Sequence, residues 1–267
     1  MTTQTQNLGK ALITGASTGI GAVYADRLAK RGYDLILVAR DENRLQALAQ
    51  RLRAETGVQI EVIKADLTKR ADLAKVESRL REDAGISLLL NNAGMSVGGS
   101  FVGGDVEQYD TMLQLNIVAV MRLASAAAAT FAAKKQGTLI NVASVLALAP
   151  ELFDGVYSGT KAFVLNMTHA LQRDLSPLGV RVQAVLPGAT RTEIWERSGT
   201  DVDTLPAGMV MGVDDMVNAA LVGLDQGEVI TIPPLQEIAD WDNYLQARLA
   251  LAPKLSVSKP AARYTKA

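Results

Sequence analysis

The sequence predicts a doubly wound α/β domain in which seven parallel strands form one sheet with helices on both faces. Three observations predict it. Short runs rich in Val, Ile and Leu alternate with longer amphipathic runs from one end of the 267-residue chain to the other, which is the pattern of repeated strand–helix units. Hydrophobic residues make up 48% of the chain and aromatics only 4%, so the core is aliphatic and suits a sheet buried on both sides. A glycine-rich turn joins the first strand candidate to the first helix candidate, and no linker composition interrupts the rhythm, so residues 1–267 read as one catalytic domain.

In order, the first strand runs from Lys10 to Thr14 and hands over to a helix from Ile20 to Arg31. Tyr33 to Ala39 is the second strand, followed by a helix from Glu42 to Glu55. Ile60 to Lys64 and Arg70 to Asp83 form the third strand–helix pair, and Ser87 to Asn91 the fourth strand. The long helical run from Val106 to Lys134 carries an alanine-rich stretch, Ala124 to Ala133, suited to close packing in a core or a subunit interface. Gly137 to Ala143, Val180 to Leu186 and Val229 to Ile232 complete the strands, with helices from Tyr157 to Leu175 and Asp214 to Asp225 between them. Two segments break the rhythm. Residues 193–212, rich in Gly, Thr, Asp and Met, are long for a connection and are expected to form a substrate lid; Met209 and Met211 there either line an apolar pocket or fill gaps. Residues 233–267 form a C-terminal extension with a helix from Glu237 to Leu251, which puts Trp241, Tyr244, Leu245 and Leu249 on one face.

Composition excludes several functions. The formal charge is −1, with Lys and Arg spread among acids, so no nucleic-acid partner is expected. The chain has no cysteine, which removes disulfide scaffolds, thiol nucleophiles and cysteine-ligated metals and fits a cytoplasmic location. The first ten residues are polar, and the run from Ala11 to Ala25 is interrupted by Thr14, Ser17 and Thr18, so no cleavable signal is expected. The most apolar stretch, Ala119 to Ala133, is broken by Arg122, Ser125 and Thr130 and falls short of the ~18 apolar residues of a spanning helix, so no membrane partner is expected either. His169 is the single histidine, without a second ligand for zinc, and reads as structural.

The segment TGASTGIG, Thr14 to Gly21, sits where a strand gives way to a helix and reads as a nucleotide cradle. Gly15 permits the tight turn, Gly19 lets backbone approach a pyrophosphate, and Gly21 lets the helix pack closely, while Ser17, Thr18 and Ile20 complete the cofactor-facing loop.

With that turn in place, the chain resembles the short-chain dehydrogenase/reductase family over nearly its whole length. Asn91 to Gly94 (NNAG) ends the fourth strand, Asn116 lies in the long helix, Ser144 ends the fifth strand, Tyr157 to Lys161 (YSGTK) opens the next helix, and Pro187 to Thr192 (PGATRT) follows the sixth strand. The resemblance implies a Rossmann-type fold and hydride transfer between a nicotinamide and a carbonyl or secondary alcohol. It implies cofactor contacts from Asn92, Ala93, Gly94, Pro187, Gly188, Thr190 and Thr192, and adenine contacts from Asp66 and Leu67. It also implies that Lys161 holds the nicotinamide ribose, that Asn116 orders a water relay, and that the protein is a homo-oligomer, either dimer or tetramer.

The chemistry is also readable without the family. A tyrosine titrates near pH ~10 and exchanges protons poorly at neutral pH unless positive charge stabilises its phenolate. Lys161 lies four residues after Tyr157 on one helix face and is placed to supply that charge, to which an oxidised nicotinamide would add a second. Ser144 at a neighbouring strand end is placed to hold a substrate oxygen. Alone, Tyr157 and Lys161 would be an ordinary surface pair; joined to the cradle, Ser144 and Asn116, they read as an acid/base catalyst.

Cofactor choice rests on the end of the second strand. NAD-binding folds usually carry an acid there, whereas this chain reads Ala39 followed by Arg40, a guanidinium suited to a 2′-phosphate. NADP(H) is therefore expected over NAD(H). Asp41 and Glu42 reach the ribose instead if the strand ends later, or else serve as first-turn helix acids, and Thr18 is not the basic residue many NADP-preferring relatives carry. A non-catalytic NADP-binding sensor or scaffold is the alternative; it would be expected to lose Tyr157 or Lys161, and both are present.

Overall fold

A computed structural model describes residues 8–265. The chain forms two compact units, one through Pro233 and one from Pro234 onward. In the first, seven strands form a single parallel sheet in the order β3-β2-β1-β4-β5-β6-β7. They are β1 (Lys10–Thr14), β2 (Asp34–Ala39), β3 (Ile60–Lys64), β4 (Ile86–Asn91), β5 (Gly137–Val142), β6 (Val180–Val185) and β7 (Ile230–Thr231). The order reverses between β1 and β4, which opens a crevice at their carboxyl ends, the place where ligands bind in open α/β sheets.

The period of two along each strand explains why both faces are covered. Ala11 and Ile13 of β1 enter one apolar cluster, with Leu35 and Leu37 of β2 and Leu88 and Leu90 of β4. Leu12, Ile36, Val38 and Leu89, which point the other way, enter a second. The first cluster is closed by α1 (Gly19–Lys30), α2 (Glu42–Thr56) and, later in the chain, residues 216–224. The second is closed by α3 (Arg70–Glu82) and by Leu123, Ala124, Ala126, Ala127 and Phe131 of the long helical run, so part of the alanine-rich stretch is core.

That run is not uniform. It consists of α4 (Val106–Leu113), a π-helical turn (Gln114–Ala119) and α5 (Val120–Lys134). By length and composition it could cross a membrane, but Ala119, Leu123, Ala124, Ala126, Ala127 and Phe131 are buried in the second cluster. The next helix, α6 (Gly155–Leu175), starts two residues before the expected Tyr157 because the Asp154 side chain accepts the Tyr157 N–H at 2.8 Å and caps it. A chain of buried polar groups ties α6 to the sheet. Asn91 Nδ2 of β4 donates to Asn141 Oδ1 of β5 at 3.0 Å, Asn141 Nδ2 donates to Thr168 Oγ1 of α6 at 2.9 Å, and the Thr168 hydroxyl donates to Val164 O at 2.7 Å.

The segment expected to be a lid is ordered by short elements: α7 (Ile194–Arg197) and two 3-10 turns, Val202–Thr204 and Ala207–Met209. Trp195 Nε1 donates to Thr190 O at 2.8 Å, and Arg191 pairs with Asp203 at 2.8 Å. Met211 packs on the first cluster as a gap-filler, while Met209 is exposed. The run then enters α8 (Val213–Asp225), the last helix of this unit. The second unit contains α9 (Ile238–Leu251), where Trp241 and Tyr244 stack with ring centroids 5.5 Å apart.

Candidate active site

The cradle between β1 and α1 is shaped by glycine where a side chain would not fit. Gly15 and Gly19 adopt φ of +66° and +54°, the left-handed region. A Cβ on Gly21 would lie 2.6 Å from Asn92 Nδ2 and would also strike the Gly15 carbonyl. Thr18 caps α1 without a side-chain hydrogen bond, and the first turn holds no acid, so the helix's leading N–H groups and its positive dipole end remain open to an anion. This arrangement fits a dinucleotide pyrophosphate. Asn92 is also a brace: its Nδ2 donates to Thr14 O at 2.9 Å and Gly15 O at 3.2 Å. The Thr14 hydroxyl in turn accepts the N–H groups of Asn92 and Ala93 at 3.0 and 3.1 Å. Thr192 closes the other side, its side chain 3.2 Å from where a Cβ of Gly19 would stand. Thr190 bridges to Met211, its hydroxyl donates to Gly188 O at 3.1 Å, and Pro187 O accepts the Val145 N–H at 3.0 Å.

At the adenosine end, β2 stops at Ala39, so Arg40 is the first residue beyond the strand; it is exposed and makes no ion pair among the described residues. Asp41 is occupied as the cap of α2, where its Oδ1 accepts the Arg44 N–H at 3.0 Å. Asp66 Oδ1 is engaged by Thr68, from N at 3.0 Å and from Oγ1 at 2.7 Å, while Leu67 is buried beside it.

At the other end, β4, β5, α6 and the π turn converge. The wider π turn presents the buried Asn116 side chain to the backbone after β4: Oδ1 accepts Met95 N at 3.0 Å, and Nδ2 donates to Met95 O at 2.8 Å and to Thr160 Oγ1 at 3.1 Å. The Thr160 hydroxyl donates to Tyr157 O at 2.7 Å. A Cβ on Gly94 would stand 3.3 Å from Asn116 Oδ1 and 3.5 Å from Lys161 Nζ, so Gly94, Asn116 and Lys161 meet at one point. Lys161 Nζ donates to Val142 O at 3.0 Å and lies 5.7 Å from the centroid of the Tyr157 ring. Ser144 Oγ accepts the Leu146 N–H at 3.1 Å, which leaves its own O–H to donate.

Burial pushes the Tyr157 phenol up to about 12, opposed by the Ser144 hydroxyl, and burial pulls Lys161 down to about 8. The surroundings are apolar: Val97, Tyr109 and Met112 form a small cluster with Met95, Val156 and Tyr157 packed on it, and the Phe153 ring meets Tyr157 edge-on at 5.8 Å. Phe101 packs on Tyr109 at 5.5 Å while itself exposed. Residues 193–212 meet this mouth at Gly98, where any Cβ would collide with the Ser198 carbonyl.

The cradle glycines, Asn92, Gly94, Asn116, Ser144, Tyr157, Lys161 and Thr192 thus lie at the carboxyl ends of the strands, and His169, read as structural, follows Thr168 on α6. Sequence reasoning missed Thr160, whose place three residues after Tyr157 is the signal that could have found it, and the ion pair of Arg44 with Glu193 at 2.8 Å, for which no local signal exists.

The sequence profile of the family described as short chain dehydrogenase matches residues 9–203. An uncharacterized oxidoreductase of Staphylococcus saprophyticus is 31% identical over 83% of this chain and 93% of its own length. A short-chain dehydrogenase from Sphingobium yanoikuyae, solved in complex with NADPH, superposes with a TM-score of 0.94 at 53% identity over 97% of this chain and 100% of that one. The bulky-bulky ketone specific alcohol dehydrogenase from Comamonas testosteroni gives a TM-score of 0.90 at 48% identity, over 98% and 100% of the two chains.

Proposed function

The chain belongs to the short-chain dehydrogenase/reductase family, and from that membership we propose that it reduces bulky, apolar ketones or oxidises the matching secondary alcohols, with NADP(H) as hydride partner and Tyr157 as acid/base. The observation that carries the reading is the convergence of Gly94, Asn116 and Lys161 beside Tyr157, with the cradle on one side and the apolar Val97–Tyr109–Met112 cluster on the other.

When bound, the nicotinamide supplies or accepts the hydride. Tyr157 gives its phenol proton to the substrate oxygen in reduction and takes it back in oxidation. The O–H of Ser144, which meets the Tyr157 phenol, orients that oxygen and stabilises the charge it develops. Lys161 keeps two N–H groups beyond the one held by Val142 O, enough to hold a ribose hydroxyl while its charge favours the phenolate. Both Asn116 N–H groups are taken, so a relay water would rest on the second lone pair of Oδ1 or on carbonyls loosened by the π turn.

Arg40, exposed beyond β2, and Asp41, committed to capping α2, favour a 2′-phosphate over a bare ribose. The NADPH held by the Sphingobium relative agrees with this. Phe101, Leu152 and Phe153 give the mouth an apolar rim suited to large substituents, in keeping with the ketone specificity of the Comamonas enzyme. The test is NADPH consumption against ketones graded from acetone to diaryl ketones. Turnover is expected to rise with apolar bulk on both sides of the carbonyl; activity confined to small ketones would overturn the substrate class, and preference for NADH the cofactor.

A further inference from the structure

We propose that Arg44 is a second residue selecting for NADP(H), a guanidinium shared between Glu193 of the lid and the cofactor's 2′-phosphate. This rests on the NADP(H) reading above.

Arg44 lies in the first turn of α2, one turn beyond Arg40. Its Nη1 donates to both oxygens of Glu193, at 2.8 and 2.9 Å, and its Nε lies 3.4 Å from Asp41. Glu193 directly follows Thr192, whose side chain closes over Gly19 of the cradle. The line from Gly19 through Thr192 and Glu193 to Arg44 therefore joins the cradle to the carboxyl end of β2. An adenosine moiety has to cover that same interval, because its pyrophosphate lies on the cradle and its ribose at the end of the second strand.

Exchange of partners is easy. The side chains of Arg44 and Glu193 are 49% and 37% exposed, and ion pairs of that kind are held weakly. A phosphate carries more charge than a carboxylate and matches the guanidinium fork, so it competes well for Arg44. Glu193 is not stranded when Arg44 leaves, because Arg197 Nη2 already donates to it at 2.6 Å. If Arg44 stayed on Glu193, Arg40 alone would face the phosphate near Asp41 and Glu42.

Two substitutions that break the same ion pair separate this proposal from a mere brace. Binding of adenosine 2′,5′-bisphosphate and of 5′-AMP is measured by calorimetry on wild type, Arg44→Ala, Glu193→Gln and the double variant. Arg44→Ala is expected to weaken the bisphosphate about three- to tenfold and Glu193→Gln to tighten it about two- to fivefold, with 5′-AMP nearly unmoved in both. The double variant should follow Arg44→Ala, which shows that the gain runs through Arg44 and not through a released Arg197. Shifts of the same sign in the two single variants, or equal shifts for both probes, overturn the role of Arg44. Wild type binding the two probes equally would overturn the NADP(H) reading itself, and this proposal with it.

Discussion

Around Gly94, the buried side chains of Asn116, Thr160 and Lys161 all hold protein partners, whereas at the end of β2 Arg40 stands exposed without an ion pair among the described residues. The contrast follows from solvent. A buried amide or ammonium without a partner is costly, so the reacting end has to be complete before any ligand arrives. A surface guanidinium is satisfied by water and can await its anion. The reacting end is therefore preorganised and the selecting end adaptable, and substitutions at the two ends should fail differently.

The largest effect belongs to the reacting end. Tyr157→Phe is expected to lower kcat by at least about a hundredfold while NADPH affinity, read by fluorescence titration, stays nearly unchanged, because only the transferable proton is lost. Substantial remaining turnover would assign the proton to another group. At the selecting end the pattern inverts: Arg40→Ala should raise the Kd for NADPH about tenfold or more, leave NADH almost unaffected and spare kcat with saturating cofactor. Equal weakening of both cofactors would return Asp41 as the ribose ligand.

The smallest effect sharpens the comparison through stability. Lys161 sits at about 8 in the folded chain against its ordinary 10.5, so between those values the unfolded chain holds a proton the folded one lacks, and stability rises with pH by at most about 1.4 kcal/mol per unit. Tyr157, pushed from 10.0 to about 12, acts the other way, but only above its ordinary value. Urea midpoints of wild type relative to Lys161→Met should therefore climb from about pH 8 to pH 10. A flat difference would mean that the ammonium remains solvated.

The same division governs what could be read in advance. β1 and β3 have the bounds expected from their β-branched runs, and the cradle, Ser144, Tyr157 and Lys161 were legible because each lies in a short, ordered motif. The π turn at Gln114–Ala119 was not, since one widened turn leaves the helical spacing of apolar residues nearly intact. The start of α6 at Gly155 was within reach, given the capping chemistry of Asp154. The i, i+4 lysine beside Tyr157 is visible in sequence, whereas the burial that raises the phenol is a product of tertiary packing. Arg44 and Glu193 are 149 residues apart and meet only once the chain has folded.

The amide pair between β4 and β5 has a consequence for assembly of the chain. Asn91 and Asn141 face each other in register, and both lie in mostly apolar strands. A slip of one strand by one residue would put the two amides on opposite faces of the sheet, the shifted one away from its partner and among aliphatic side chains. Were β5 the strand to slip, Thr168 on α6 would lose Asn141 as well. The helix bearing Tyr157 therefore docks with these polar groups satisfied only where β4 and β5 are matched in register.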